Sequence, residues 1–162
     1  MQENRRGDVL VCACNLVADD AGYLVVRESK SSARSRYNLP AGKLAIGETI
    51  VEAAERECRE ETGLVVGVER LVGIYHCPRT SEGFAVVNFV FVSSPRGGAL
   101  ASSSRQPEVR YFSRSESAEL GWAGKLRGTH IQQAIAANEA GIDLPLSLVR
   151  VVEASPLAPT EP

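Results

Sequence analysis

Three glutamates, Glu57, Glu60 and Glu61, recur at intervals of three and four within Arg56-Glu57-Cys58-Arg59-Glu60-Glu61-Thr62-Gly63-Leu64. On a helix these intervals bring side chains to one side. Like charges gathered in that way repel unless something neutralises them. A hard divalent cation does so, and Mg²⁺ prefers a few carboxylates plus water and substrate phosphate. Glu48 and Gly42 stand just upstream. Carboxylates on a rigid helix beside a glycine turn can hold a pyrophosphate through bridging metal ions. The same residues also suit a solvated helix face whose acids pair with Arg56 and Arg59. Charge alone leaves both readings open.

The element that must carry these acids is the clearest helix of the chain, 49–62. Thr49 and Glu52 form a capping box at its start, and Gly63 suits the left-handed position that ends it. Ile50, Ala53, Ala54 and Cys58 fall on one face at helical spacing and are expected to meet the core. Around the helix the pattern is mostly extended. Residues 9–17 and 23–28 read as a strand pair joined by the turn 18–22, and 39–42 as a short extended lead-in. Residues 64–77, 84–93 and 109–113 read as further strands, with loops at 78–83 and 94–107. Two helices are expected at 115–120 and 129–140, and a last strand at 146–152. Strands and helices in this order point to an α/β fold with helices packed on a mixed sheet.

The full spacing from Gly42 to Leu64 adds a further constraint. It runs Gly, five residues, Glu, seven residues, Arg-Glu, an apolar residue, one residue, Glu-Glu, one residue, Gly, an apolar residue. This is the signature of the Nudix hydrolase (MutT-like) superfamily, which the chain resembles at every fixed position. Cys58 fills a slot where a larger aliphatic residue is more usual. Tyr37-Asn-Leu-Pro-Ala-Gly42 resembles the family's lead-in, and Glu108-Val-Arg-Tyr-Phe112 its late strand.

The resemblance implies an α/β/α sandwich with a mixed β-sheet, in which the signature forms a loop–helix–loop. It implies hydrolysis of a pyrophosphate bond in a nucleoside diphosphate linked to another group, with Mg²⁺ as cofactor and Mn²⁺ as a substitute. By position, Glu57 and Glu61 would be the main metal ligands. Glu60 would be a further ligand or would hold a bound water, and the Ala41 carbonyl would complete the shell. Arg56 would orient Glu57, and Glu48 would brace the loop. A signature glutamate is expected as general base, with Glu108 as the alternative.

Substrate identity is less legible. Arg36, with Lys30 and Arg34, can meet a phosphate tail. Tyr23, Tyr75 and Phe84 can each stack on a base, but each lies in a strand-like run and reads first as core; Tyr75 is the one kept as a substrate-binding candidate. The stretch 126–146, together with Leu39-Pro-Ala-Gly42, which ADP-ribose pyrophosphatases also carry, resembles a phosphatase-like bacterial Nudix group that acts on nucleoside tri- and diphosphates and on the thiamin pyrimidine precursor pyrophosphate. Tyr75-His-Cys-Pro78 resembles ADP-ribose pyrophosphatases instead. A third alternative is a nucleotide-sensing module that does not cleave, although such modules usually lose signature glutamates.

Composition limits the remaining classes. The 162 residues carry 44% hydrophobic and 23% charged residues, ordinary for one globular domain. No run is apolar enough for a membrane span, and no signal-peptide pattern opens the chain. The net charge of −2 and the lack of a basic–aromatic stripe argue against nucleic acid as partner. Cys12, Cys14, Cys58 and Cys77 have no zinc-site spacing and read as reduced thiols, consistent with the cytoplasm. The expected layout is an N-terminal extension at 1–8, a Nudix domain at 9–153 and a flexible tail at 154–162. A homodimer is the oligomer the resemblance suggests.

Overall fold

The computed structural model describes residues 8–29 and 36–153. The expected N-terminal extension and C-terminal tail lie almost wholly outside these residues, as do Lys30 and Arg34. The strands are β1 (Val9–Leu16), β2 (Ala18–Asp19), β3 (Gly22–Arg27), β4 (Tyr37–Asn38), β5 (Ala41–Lys43), β6 (Leu64–Cys77), β7 (Ala85–Gly98) and β8 (Glu108–Phe112). The helices are α1 (Ile50–Thr62), α2 (Arg114–Trp122) and α3 (His130–Glu139).

One sheet has the order β5-β1-β7-β6. Its β1–β7 pair is parallel and the others are antiparallel, so the sheet is mixed. In the second sheet β3 pairs with β2 and β4, and with β8. Side chains alternate across a strand, and β1 shows what that does here. Ala13 joins Ile50, Ala53, Ala54, Leu71 and Phe91 under α1. Its neighbour Cys14 joins Leu16, Val72, Val90, Ile131 and Ala134 under α3. The first sheet is thus covered by a helix on each face, the α/β/α layering expected from the sequence.

Helix α1 forms as its sequence dictates. The Thr49 hydroxyl accepts from the Glu52 amide at 3.2 Å, and the Glu52 carboxylate accepts from the Thr49 amide at 2.8 Å. At the other end Gly63 has φ 79°, and a Cβ there would lie 2.4 Å from the Ala99 carbonyl oxygen. Only glycine meets both demands.

A buried asparagine ties this helix to the strand that carries the lead-in. Asn15 is fully buried. Its amide nitrogen donates to the Ala54 carbonyl at 2.8 Å and the Pro40 carbonyl at 3.3 Å. Its amide oxygen accepts from the Ser93 hydroxyl at 2.8 Å. A buried amide satisfied on both ends fixes geometry strongly, because losing any partner leaves an unpaired polar atom.

Two expectations are corrected. The stretch 94–98 is not loop but the end of β7, and its Pro95 lies opposite Val66 with a register shift nearby. β1 stops opposite Val92, so β7 has one neighbour beyond that point. Proline is tolerated at such an edge, beside a register irregularity, because one side of the strand has no ladder that needs an N–H. The expected last strand at 146–152 is instead a 3-10 turn, Leu146–Leu148, followed by irregular chain. Packing accounts for two of its apolar residues: Leu146 and Val149, with Leu144 just upstream, lie against the cluster under α1, while Leu148, Val151 and Val152 are exposed. A run of apolar residues alone does not distinguish these outcomes.

Candidate functional site

The site forms where α1 crosses the edge strand β5. Arg56 organises the acids around it. Its Nε and Nη2 donate to the two Glu48 carboxylate oxygens at 2.9 and 2.7 Å, a bidentate pair. Nη2 also donates to the Lys43 carbonyl at 3.1 Å, tying the helix to the turn before it. Nη1 donates to Glu57 Oε1 at 2.6 Å and reaches Glu60 Oε2 at 3.5 Å. Arg56 and the Ala45 amide together hold the Glu48 carboxyl down to about 2. Glu48 also accepts from that amide at 2.6 Å, so it closes the loop onto the helix.

Glu57 lies directly over Gly42. A Cβ added at Gly42 would fall 1.9 Å from the Glu57 carboxyl carbon and 2.0 and 2.3 Å from its oxygens. The glycine of the signature is therefore a space requirement: its missing side chain is where the carboxylate sits.

Glu61 occupies a different environment. Oε2 accepts from the Ala41 amide at 3.0 Å. Oε1 accepts from the Gln106 side chain at 2.7 Å. Burial pushes the Glu61 carboxyl up to about 8, and the charges of Glu57 and Glu28 push the same way. The hydrogen bonds from Ala41 and Gln106 oppose the shift without cancelling it. In an extended strand the N–H and C=O of one residue project to the same side. The Ala41 carbonyl therefore faces the side on which its amide meets Glu61.

Glu60 is exposed and turned toward Arg56. Among the described residues, no group of three acidic, histidine or cysteine side chains is drawn together around a point that would hold a metal ion. What the site offers is the pair Glu57 and Glu61, with the Ala41 carbonyl at their side. The donor set is hard oxygen throughout, and Glu61 is a half-buried acid that forms no ion pair among the described residues. Both features fit a small divalent cation.

The other sequence candidates fall elsewhere. Glu108 accepts from the Tyr37 hydroxyl at 3.1 Å and from Arg110 Nε at 3.0 Å. Arg27 Nε lies 3.1 Å from it without hydrogen-bond geometry. Burial works to raise the Glu108 pKa, but Arg110, Tyr37 and Arg27 outweigh it and hold the carboxyl below its ordinary range. Glu108 is thus engaged in a strand-edge charge network. Tyr75 is half-buried, with its ring 6.4 Å from that of His130 and its hydroxyl over Gly73. Burial lowers His130 to about 4. Arg36 is half-buried at the entrance to β4, and its carbonyl accepts from the Glu28 amide at 3.2 Å. Tyr23 is buried in the core under α3.

Gln106 escaped the sequence reading. It lies between β7 and β8, 45 residues from Glu61 along the chain. The one signal was local: Ser103-x-x-Gln106 is a turn pattern, and the Ser103 hydroxyl does accept from the Arg105 and Gln106 amides. Nothing in that pattern names the acid it faces.

Comparison with known proteins identifies the family. The NUDIX domain family matches residues 8–130, and the chain belongs to that family. An 8-oxo-dGDP phosphatase of Mus musculus is 36% identical over 99 residues, covering 61% of this chain and 27% of the mouse protein. An ADP-ribose pyrophosphatase of Methanocaldococcus jannaschii is 30% identical over 102 residues, covering 63% of this chain and 60% of the archaeal one. The chain thus spans between about a quarter and three-fifths of these relatives. Among solved structures, a NUDIX hydrolase from Nitrosomonas europaea superposes with a TM-score of 0.82 at 28% identity, over 91% of this chain and all of that one.

Proposed function

We propose that the chain is a Mg²⁺-dependent hydrolase of a pyrophosphate bond in a small nucleoside di- or triphosphate, with Mn²⁺ as a substitute metal. The observation that carries this reading is the pairing of Glu57 and Glu61 against the Ala41–Gly42 turn, with Arg56 clamped between Glu48 and Glu57. Glu57, Glu61 and the Ala41 carbonyl would hold the cation, with Glu60 able to join them from the exposed side of the helix. The cation supplies charge neutralisation for the diphosphate and activation of water for attack at phosphorus.

The chain's own groups do the positioning, which carries most of the catalysis in phosphoryl transfer. Arg56 fixes the Glu57 rotamer through a short charged hydrogen bond. Glu48 fixes Arg56 and the loop at 43–48. Gly42 leaves the space Glu57 occupies. The Ala41 amide and Gln106 hold the two oxygens of Glu61. A signature glutamate serves as general base in this reading, because Glu108 is committed to Arg110, Tyr37 and Arg27. Arg36 and Tyr75 remain the candidates for phosphate and base contact.

The mouse relative's name supports a nucleoside diphosphate, oxidised ones included, as the substrate class. The archaeal relative supports a second reading, an ADP-ribose pyrophosphatase. Phosphate- and nucleotide-release mass spectrometry with Mg²⁺ separates the two. The panel holds canonical and oxidised nucleoside di- and triphosphates and ADP-ribose, with Glu61→Gln as control. Orthophosphate from a nucleoside diphosphate supports the first reading, and AMP from ADP-ribose the second. No product from any of them, with ligand still raising the melting temperature, would point to a sensor that does not cleave.

A further inference from the structure

Between β7 and β8 the chain passes through residues 99–107 before returning to the second sheet. This loop is pinned at two places. The Ala101 amide donates to the Thr62 carbonyl at the end of α1 at 2.8 Å, and the Ser29 amide donates to the Arg105 carbonyl at 3.0 Å. Gln106 is the buried side chain of the loop, 9% exposed.

An amide can present either its N–H₂ or its oxygen to a neighbour, so its direction needs a cause. Ser103 supplies one. Its hydroxyl oxygen accepts from the Arg105 amide at 3.2 Å and the Gln106 amide at 3.1 Å. Its remaining capacity is the O–H, which points to Gln106 Oε1 at 3.3 Å. The Ser103 amide also donates to the Gln106 carbonyl at 2.8 Å, closing the turn. With the oxygen of the Gln106 amide held by Ser103, its nitrogen faces Glu61 Oε1 at 2.7 Å.

We propose that Ser103 and Gln106 are a positioning pair for Glu61: Ser103 sets the direction of the Gln106 amide, and Gln106 sets the rotamer in which Glu61 meets a divalent cation. The proposal rests on the reading that Glu61 is a cation ligand. Groups that orient a ligand in this way typically change metal affinity or activity by about 10–100-fold when removed. Gln106 touches neither the reacting phosphate nor the cation in this account, so it is a positioning residue and not a catalytic one.

The test titrates Mg²⁺ alone into the substrate-free full chain and follows the melting temperature. It compares wild type, Gln106→Met, Ser103→Ala, the double variant and Glu61→Gln. Methionine keeps the volume of glutamine and removes the donor. The Mg²⁺ midpoint is expected to rise about tenfold or more in Gln106→Met and by less in Ser103→Ala. The double variant should match Gln106→Met, because Ser103 acts only through Gln106. With substrate added, kcat at fixed Mg²⁺ should fall in Gln106→Met while the substrate KM holds. A wild-type midpoint in Gln106→Met, alongside a lost response in Glu61→Gln, overturns the pair and leaves the cation assignment standing. Independent, additive losses overturn the relay through Ser103. A wild-type midpoint in Glu61→Gln overturns the cation assignment and the pair with it. If Gln106→Met does not fold, Ser103→Ala decides, and an unchanged midpoint there counts against the proposal.

Discussion

Replacing Glu61 by glutamine should stabilise the metal-free protein, and by more as the pH rises. Burial holds the Glu61 carboxyl at about 8, against 4.5 for the ordinary side chain. Its native pKa lies above its unfolded one, so the folded state binds the extra proton between these values. Stability contributed by this group is therefore full below pH 4.5 and lost as the pH rises toward 8. At about 1.4 kcal/mol per pKa unit the whole shift corresponds to about 5 kcal/mol. Partial access of water to a half-buried carboxyl brings the expected effect to about 2–4 kcal/mol. Glutamine has nearly the same shape and no charge to bury. Its oxygen can accept from the Ala41 amide, and the Gln106 amide can receive its N–H₂ only by turning away from the Ser103 hydroxyl, which costs about 1 kcal/mol, less than burying the charge. Urea unfolding with a chelator present, at pH 4.5 and pH 8.5, reads the difference directly. Glu61→Gln should match wild type at the lower pH and exceed it at the higher one. Saturating Mg²⁺ should reverse the order at pH 8.5, since only wild type gains from the cation. A difference that does not change with pH, or a variant less stable at pH 8.5 without metal, would refute this reasoning.

Other expectations follow from single residues. Gly42→Ala should lower turnover at least about a hundredfold while the far-ultraviolet spectrum holds, because the new methyl displaces the Glu57 carboxylate and not the backbone. His130, lowered to about 4 by burial, stays neutral in the fold while the unfolded chain protonates below about 6.5. Stability from this group is lost as the pH falls through that window, by up to about 3 kcal/mol, and His130→Gln should flatten the acid limb of a melting curve. Asn15→Leu leaves the Ser93 hydroxyl and the Ala54 carbonyl without their partner, and chemical denaturation should show a loss of about 2–4 kcal/mol. Thr49→Ala removes one half of the capping box and should cost about 1 kcal/mol by the same measurement.

What the sequence shows well is local. The capping box, the Gly63 stop and the apolar face of α1 depend on residues within one helix, and each appears in the fold at its expected place. The spacing of Glu57, Glu60 and Glu61 is local too, but their partners are not. Arg56 was legible as a neighbour of Glu57, whereas its bidentate grip on Glu48 needs the loop to fold back over the helix. Asn15 sits in a run of apolar residues and looks like an interruption until Ala54, Pro40 and Ser93 converge on it. Gln106 is a polar loop residue by every local measure, and its role depends on a contact across 45 residues. The misread stretches have the same origin. Pro95 is permitted in β7 because β1 ends early, and in 146–152 only Leu146 and Val149 find a place against the cluster under α1, while Leu148, Val151 and Val152 stay exposed and pair with no strand.

Whether Glu57 holds a catalytic cation is read from the initial rate of pyrophosphate-bond cleavage against Mg²⁺ concentration, for wild type and Glu57→Gln. The substrate is whichever compound of the panel turns over fastest. Wild type should show a saturable rise with Mg²⁺ and no turnover with chelator, and Glu57→Gln at least about a hundredfold loss at saturating metal, with the fold intact. Near wild-type rates in Glu57→Gln, or turnover that persists in chelator, would contradict that role for Glu57.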